Sequence, residues 1–258
     1  MHLRDCMLTL IDMVAQVQDY KNLFEAGQQP TKVTKDLLIV VSTEKWLCWS
    51  LNSQLFKYLH GLYDGQQETL SIVAIWKKSK EYFHRRGYHV IQTIHIGDSI
   101  SRENTQSVID ALQKYQTSWI YSHISLGYNI FKNTMKYIPS LFPLLPMSPE
   151  GLQHFLEDVL WADLAQRHAS HNKKDLLIEP SLPVVKKTLY EMLMHYVLYG
   201  AIFQNKTCEF ASRMLAMKGA KDNASTQIRS FTLAYNKARQ DAITKEIIEV
   251  VGAKSVIE

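Results

Sequence analysis

The pattern of hydrophobic positions divides the chain into three parts, which we place at residues 1–29, 36–180 and 181–258. In the first part, apolar residues recur at steps of three, four or seven, the spacing of one face of an amphipathic helix. They are Leu3, Met7, Leu10, Val14, Val17 and Phe24. We therefore predict a helix here, which Gly27 and Pro30 end.

The second part alternates strand and helix signals. Residues 37–41 (LLIVV) form a continuous apolar run, as expected for a strand buried on both faces. Further strands are predicted at 70–75, 88–94, 119–124 and 175–178, and helices at about 50–62, 77–87 and 103–115. This order predicts an α/β fold with a central, mostly parallel sheet and covering helices.

The third part is predicted to be helical to its end. Residues 182 to about 205 form one predicted helix, and residues 208–258 contain no proline. In this second stretch, apolar residues follow a 3.5-residue period that only Lys221 interrupts. This seam consists of Met214, Met217, Ala224, Ile228, Phe231, Tyr235, Ala238 and Ala242. It predicts a long C-terminal helix that forms an antiparallel coiled coil with the short N-terminal helix.

The two helices of this predicted coiled coil differ in length. At 1.5 Å per residue, the N-terminal helix would span about 33 Å and residues 208–258 about 76 Å. The apolar stripe continues beyond the seam, through Ile243, Ile247, Val250 and Val251. More than half of the C-terminal helix must therefore bend, remain exposed or lie inside another protein.

Composition and charge exclude several classes of protein. The net charge of +4, from 29 Lys and Arg against 25 Asp and Glu, is too small to indicate a nucleic-acid-binding protein. Cys6, Cys48 and Cys208 are widely spaced, so we expect neither a disulfide framework nor a zinc ribbon. Asp5 and Asp12 are incompatible with a signal peptide, and no apolar run approaches the ~18 residues of a membrane span. We expect a soluble protein in a reducing compartment.

No motif of an autonomous enzyme is present. The sequence contains no P-loop, GxGxxG, HExxH or GxSxG motif. His154, His168 and His171 form a loose cluster, but no suitably spaced carboxylate or cysteine completes a metal site. Trp46 and Trp49 follow the first strand, where α/β ligand sites lie, yet no glycine there allows the close approach of a phosphate. We therefore predict no catalytic residue, no cofactor and no metal ion.

Two stretches of the third part carry a specific resemblance. Residues 208–224 (CEFASRMLAMKGAKDNA) and 232–252 (TLAYNKARQDAITKEIIEVVG) resemble the C-terminal signature of the γ subunit of F-type ATP synthases. Upstream, LLIVVSTEKWLCWSLNSQLFK, KKSKEYFHRRG and YNIFKNTMKYIPSLFPLLP resemble further motifs of this family. The resemblance covers the chain from about residue 36 to its end, with a gap around 147–172.

The resemblance implies that the chain is the rotor, or central stalk, of a proton-translocating ATP synthase and has no catalytic site of its own. In the family, the shaft lies in the bore of a ring of α and β subunits, while the α/β domain contacts the ε subunit and the membrane c-ring. Rotation of the shaft changes the conformation of each catalytic β subunit in turn. The location implied is the cytoplasmic face of a bacterial plasma membrane, without insertion into it, with the matrix face of the mitochondrial inner membrane as the alternative.

The resemblance also implies roles for residues of the shaft. Arg239 and Gln240 match a pair that contacts a loop of β, where Arg239 can offer a bidentate interaction to carboxylates. Lys218 is a third candidate for contact with β, and a merely solvated lysine is the alternative there. The apolar tip, which would turn in the bore without fixed polar bonds, comprises Ile247, Val250, Val251, Val256 and Ile257.

Two departures from the family leave alternatives open. Trp46, Trp49 and Ser50 stand where the family has turn glycines, so the loop and any partner surface on it are altered. The basic N-terminal helix of the family has no full counterpart, and residues 1–29 correspond only to its domain-proximal end. We expect either an incomplete N-terminus or a true short variant. The alternatives are a divergent paralogue that serves as a structural or regulatory stalk in another ATPase assembly, and an independent α/β enzyme.

Overall fold

The structure is a computed structural model that describes residues 35–44, 48–97, 102–117, 120–147, 149–160, 179 and 181–257. The helix predicted in residues 1–29 and the strand predicted at 175–178 lie outside these ranges. The predicted pairing of the long C-terminal helix with an N-terminal helix lies outside them for the same reason.

Five strands form one sheet. They are β1 (Lys35–Val41), β2 (Leu70–Ile75), β3 (His89–Ile94), β4 (Tyr121–Asn133) and β5 (Lys136–Leu145). The order across the sheet is β3-β2-β1-β4-β5, in which β4 and β5 are antiparallel and the other three pairs are parallel. The predicted α/β fold with a mostly parallel sheet is confirmed. The strand predicted at 119–124 is the start of the longer β4, and β5 is absent from the sequence prediction.

Helices cover both faces of this sheet. The helices described are α1 (Trp49–Leu62), α2 (Lys77–His84), α3 (Arg102–Thr117), α4 (Pro149–Leu160) and α5 (Leu182–Ile257). The first three agree with the helices predicted between the strands. α4 lies in a stretch for which the sequence predicted no element, and α5 is continuous where the sequence indicated two helical stretches.

The sheet is buried on both faces, which explains the uninterrupted apolar run of β1. Leu38 packs with residues of α1 and α2 on one face. Ile39 packs with residues of α3, α4 and the first part of α5 on the other face. Because successive side chains alternate across a strand, a strand between two layers of helices needs apolar residues at every position.

The chain divides into two compact units, of which the first extends to Ser212 and the second begins at Arg213. The sheet, α1 to α4 and the first part of α5 belong to the first unit. The remainder of α5 belongs to the second unit. None of the helices in the described ranges has an apolar stretch long enough to cross a membrane.

Gly127 of β4 lies directly against α1. A Cβ atom at this position would be 2.6 Å from Cδ1 of Leu59, which is fully buried. We expect Gly127→Ala to lower the free energy of unfolding by about 1–3 kcal/mol, because the core must shift to admit the methyl group. Gly61→Ala is the control, since no atom lies within 4 Å of a Cβ there and alanine favours the helix. Urea unfolding measures both variants, and equal effects would contradict the packing argument.

Candidate functional site

The carboxyl ends of the parallel strands mark the place where α/β proteins usually bind ligands. In this sheet, β2 and β3 lie on one side of β1, whereas β4 lies on the other. The strand order therefore reverses between β1 and β4, and the crevice at such a switch point is the usual ligand site of an open α/β sheet. In this protein, side chains of α5 occupy that position.

Asn205 of α5 joins the two strands at the switch point. Its Nδ2 donates a hydrogen bond to the carbonyl oxygen of Ser42, just after β1, at 2.8 Å. Its Oδ1 accepts a hydrogen bond from Nδ2 of Asn129, on β4, at 2.9 Å. All three residues are fully buried. The protein's own helix thus takes the place that a ligand would occupy.

Two more hydrogen bonds hold the same part of α5 to β4. The backbone amide of Phe131 donates to Oε1 of Gln204 at 3.0 Å. The thiol of Cys208 donates to the carbonyl oxygen of Asn129, with a sulfur–oxygen distance of 3.7 Å. We call residues 204–209 of α5 the polar anchor, because hydrogen bonds from this segment hold the helix to the carboxyl-terminal ends of β1 and β4.

The polar anchor contains a buried ion pair. Nζ of Lys206 lies 3.2 Å from Oε2 and 3.4 Å from Oε1 of Glu209, and the two side chains are 6% and 1% exposed. This Nζ also lies 5.4 Å from the centroid of a ring of Trp76, within cation–π distance. The thiol of Cys48 donates to the carbonyl oxygen of Glu209 at 3.7 Å. Removing one partner of such a pair is costly, because the other charge is then left buried without its counter-charge.

Trp76, at the start of α2, has a backbone conformation that is unusual for any residue except glycine. Its φ is 70°, and a conformation of this kind costs about 1–3 kcal/mol and persists only where the surroundings impose it. Two hydrogen bonds fix Trp76. Its backbone amide donates to the carbonyl oxygen of Ile94 at 2.8 Å, and its indole Nε1 donates to that of Ile96 at 3.1 Å. A strained residue therefore lies beside the buried ion pair.

Burial raises the pKa of the Cys208 thiol to about 12, from an ordinary value of 9.0. Because the thiolate is the reactive form, we expect iodoacetamide near neutral pH to label Cys208 in urea-unfolded protein and to leave it unlabelled in native protein. Between pH 9.0 and about 12 only the unfolded thiol ionises, so the contribution of this group to stability falls as the pH rises through that window. Mass spectrometry of the Cys208 peptide checks the labelling. Equal labelling of the native and unfolded protein would contradict this description of the site.

The predicted seam lies on the part of α5 in the second unit and is exposed. Its large members, each with 53–71% of its surface exposed, are Met214, Met217, Ile228, Phe231 and Tyr235. Its small members are likewise exposed, and they are Ala224, Ala238 and Ala242. A contiguous apolar stripe of this size is typical of a surface that binds another protein.

The residues of the predicted tip belong to the last turns of α5. They are Ile247, Val250, Val251, Val256 and Ile257. The first three are more than half exposed. Arg239, Gln240 and Lys218 are also exposed on this helix. All the candidate contact residues therefore lie on one helix, and their contacts with a β subunit stay a prediction.

The part of the chain that the structure describes contains no group of three His, Cys, Asp or Glu residues that could hold a metal ion. His154 lies on α4, with Nδ1 3.8 Å from Oε2 of Glu157, whereas His168 and His171 fall outside the described ranges. The sequence analysis missed the polar anchor. Its signal is the polar run at 204–206 (QNK), which interrupts an otherwise apolar stretch of helix.

Comparison with known proteins gives one consistent result. A family model described as ATP synthase matches residues 2–256. An ATP synthase gamma chain from Stenotrophomonas maltophilia (strain K279a) is 31% identical over 256 residues, which cover 97% of this chain and 83% of that relative. An ATP synthase gamma chain from Legionella pneumophila (strain Corby) is 34% identical over 246 residues, which cover 93% of this chain and 79% of that relative.

Solved structures share the fold at lower sequence identity. A chain of the Euglena gracilis mitochondrial ATP synthase in rotational state 3 aligns with a TM-score of 0.62 and 17% identity, over 99% of this chain and 88% of that one. A chain of the Tetrahymena thermophila mitochondrial ATP synthase, from the central stalk and c-ring, aligns with a TM-score of 0.56 and 19% identity. That alignment covers 85% of this chain and 98% of the other.

Proposed function

We propose that α5 turns as the shaft of an ATP synthase, since this chain belongs to the ATP synthase gamma-chain family. The observation that carries the proposal is the apolar stripe from Met214 to Val251, whose large members are exposed on this chain. A helix with such a stripe needs protein around it. In this proposal the chain supplies no catalytic group, and the chemistry of ATP belongs to the β subunits.

The proposed mechanism is a coupling of free energy between distant sites. Ion flow through the membrane ring turns the shaft, and each β subunit then meets a different set of side chains on α5. Differential contact with two conformations of β shifts the equilibrium between them. The apolar tip can slide within the ring because hydrophobic contacts have no preferred direction. Arg239, in contrast, offers directed, charge-assisted hydrogen bonds to a carboxylate of β.

The polar anchor gives the shaft a fixed attachment within the first unit. Hydrogen bonds weaken steeply when their geometry is distorted, whereas apolar contacts tolerate sliding. The bonds of Asn205 to Ser42 and Asn129, and that of Gln204 to Phe131, therefore oppose rotation of this helical segment about its own axis. In this proposal, torque enters the shaft through the anchor.

The proposed partners are α and β subunits around the shaft, with the ε subunit and the membrane c-ring at the α/β domain. The protein would lie against the membrane without entering it, on the cytoplasmic side in a bacterium or the matrix side in a mitochondrion. We also propose that residues 1–29 pair with α5, that residues 36–180 form the α/β domain, and that residues 181–258 form the shaft region.

One observation favours a second function, that of a structural or regulatory stalk in a specialised ATPase assembly. Trp49 is 74% exposed at a position where the family has a turn glycine. A large exposed aromatic side chain at the start of α1 changes the surface offered to neighbouring subunits, since tryptophan contributes strongly to protein–protein binding.

Purification of the chain with its partners from the cells that produce it, followed by native mass spectrometry, distinguishes the two functions. A complex with α, β and ε subunits and the c-ring supports the rotor. Dedicated α- and β-like partners, without ε and the c-ring, support the second function. Recovery of the chain alone, with turnover of a small molecule, would refute both.

A further inference from the structure

A cavity of about 240 Å³ opens between α1 and α2. Trp49 and Phe56 of α1 line it from one side. Tyr82 of α2 lines it from the other, together with Arg85 and Arg86, which directly follow that helix. None of these residues belongs to the polar anchor or to the apolar stripe on α5. The cavity is therefore separate from the anchor and from the apolar stripe, on which the proposed rotation of the shaft depends.

The walls of the cavity are positively charged. Lys78, Arg85 and Arg86 line it together with one acidic residue, Glu81, which lies 3.7 Å from Lys77. Residues 77–86 carry five Lys or Arg and one Glu, and this excess of four positive charges equals the formal net charge of the whole chain, +4. The charges of all other residues sum to zero. This excess of positive charge lies in α2 and the two arginines that follow it, beside the cavity.

Aromatic side chains give the cavity an apolar surface. Trp49 is largely exposed, whereas Phe56 is buried. The guanidinium carbon of Arg86 lies 3.7 Å from the ring centroid of Tyr82, within cation–π distance. Tryptophan, tyrosine and arginine are the residues most enriched where protein–protein binding energy is concentrated.

We propose that this cavity binds an acidic segment of a partner protein. Carboxylates of the segment pair with Arg85 and Arg86, and an aromatic or aliphatic side chain between them packs against Trp49. The complementary charge selects acidic sequences and speeds their association. This interaction goes beyond the rotor function and does not rest on it.

The size and shape of the cavity favour this occupant. Its volume of about 240 Å³ lies below the range of about 300–1,000 Å³ that is usual for drug-sized ligands, and it suits one or two side chains. A nucleic acid would need a longer basic track along its phosphates, whereas three basic side chains, those of Lys78, Arg85 and Arg86, line this cavity. A lipid surface needs no concave, aromatic-lined wall.

The test uses the full chain and a fluorescein-labelled peptide in which three glutamates precede and three follow one phenylalanine. Fluorescence anisotropy at about 0.15 M salt measures the dissociation constant. We expect saturable binding that Arg85→Glu weakens at least about tenfold and Trp49→Ala at least about threefold. If Arg85→Glu fails to fold, as judged by circular dichroism, Arg85→Gln replaces it, with a weakening of at least about threefold.

Matched controls separate the cavity from net charge and from exposed aromatic surface in general. Lys80 is exposed on α2 and Tyr58 is exposed on α1, and neither lines the cavity. We expect Lys80→Glu and Tyr58→Ala to change the dissociation constant by less than about twofold, because an exposed charge outside the contact is largely screened.

Three results would overturn the proposal. The first is the absence of saturable binding of the peptide. The second is an equal effect of Arg85→Glu and Lys80→Glu, since net charge alone would then attract the peptide. The third is tighter binding of phosphatidylglycerol vesicles or single-stranded DNA with the same dependence on Arg85, which would assign the cavity to a membrane or a nucleic acid. These measurements involve neither ATP turnover nor complex assembly, so their failure is distinguishable from failure of the rotor function.

Discussion

Replacing Arg239 by alanine is expected to lower the rate of ATP hydrolysis by the assembled complex at least about tenfold, because truncating a charged hydrogen-bonding partner at an interface has an effect of that order or larger. Arg239 is exposed on α5, so the fold of the chain itself does not depend on it. In the proposed rotor, its guanidinium meets a carboxylate of β only in certain orientations of the shaft. The measurement is steady-state hydrolysis by the complex reconstituted from this chain and its α and β partners.

Two further substitutions show whether the geometry of the guanidinium matters. Lys237→Ala removes a charge from an exposed position two residues away, and we expect it to change the rate by less than about twofold. Arg239→Lys keeps the charge but loses the bidentate geometry, so an intermediate rate is expected. Equal rates for the Arg239→Ala and Lys237→Ala complexes would rule out the proposed contact with β.

The second large effect is expected on stability. Glu209→Ala should lower the free energy of unfolding by about 3–5 kcal/mol, because it leaves the buried Lys206 ammonium without this carboxylate. The same ammonium lies 5.4 Å from the centroid of a ring of Trp76, so the substitution also disturbs the surroundings that hold this residue in its strained backbone conformation. Urea unfolding of the full chain, followed by circular dichroism, measures the change.

A surface ion pair of the same chain provides the comparison. Lys132 and Asp158 form a pair whose side chains are more than a third exposed, and Asp158→Ala is expected to cost less than about 1 kcal/mol. The double variant Lys206→Met with Glu209→Met removes both buried charges and should recover most of the stability lost in Glu209→Ala. A cost for Glu209→Ala no larger than that for Asp158→Ala would show that the buried pair has no special role.

The parallel strands were predictable because burial on both faces leaves a simple signal. β1 contains the apolar run 37–41 and β2 the apolar run 72–75, and their helices follow at the expected spacing. β5 has no such signal, since Pro139 and Pro143 argue against a strand. It is nevertheless a strand because it lies at the edge of the sheet, where a missing backbone donor is tolerated. β5 was therefore missed because the local sequence does not encode the position of a strand in the sheet.

The polar anchor could not be predicted for a related reason. Asn205 bonds Asn129, 76 residues earlier, and Ser42, 163 residues earlier. Taken alone, the polar run at 204–206 indicates a solvated turn of helix. Only the topology shows that this turn crosses the carboxyl ends of β1 and β4. The apolar positions on the second part of α5, in contrast, depend on local period alone, and their pairing with another helix stays a prediction.

The polar anchor also fixes the position of α5 along its own axis. A smooth apolar helix can shift by one turn, about 5.4 Å, and find similar contacts. Such a shift would leave the Ser42 carbonyl and the Asn129 amide buried without Asn205, and each lost bond of this kind costs about 1–3 kcal/mol. The bonds of Asn205 therefore oppose both rotation of this segment of α5 and its translation past β1 and β4.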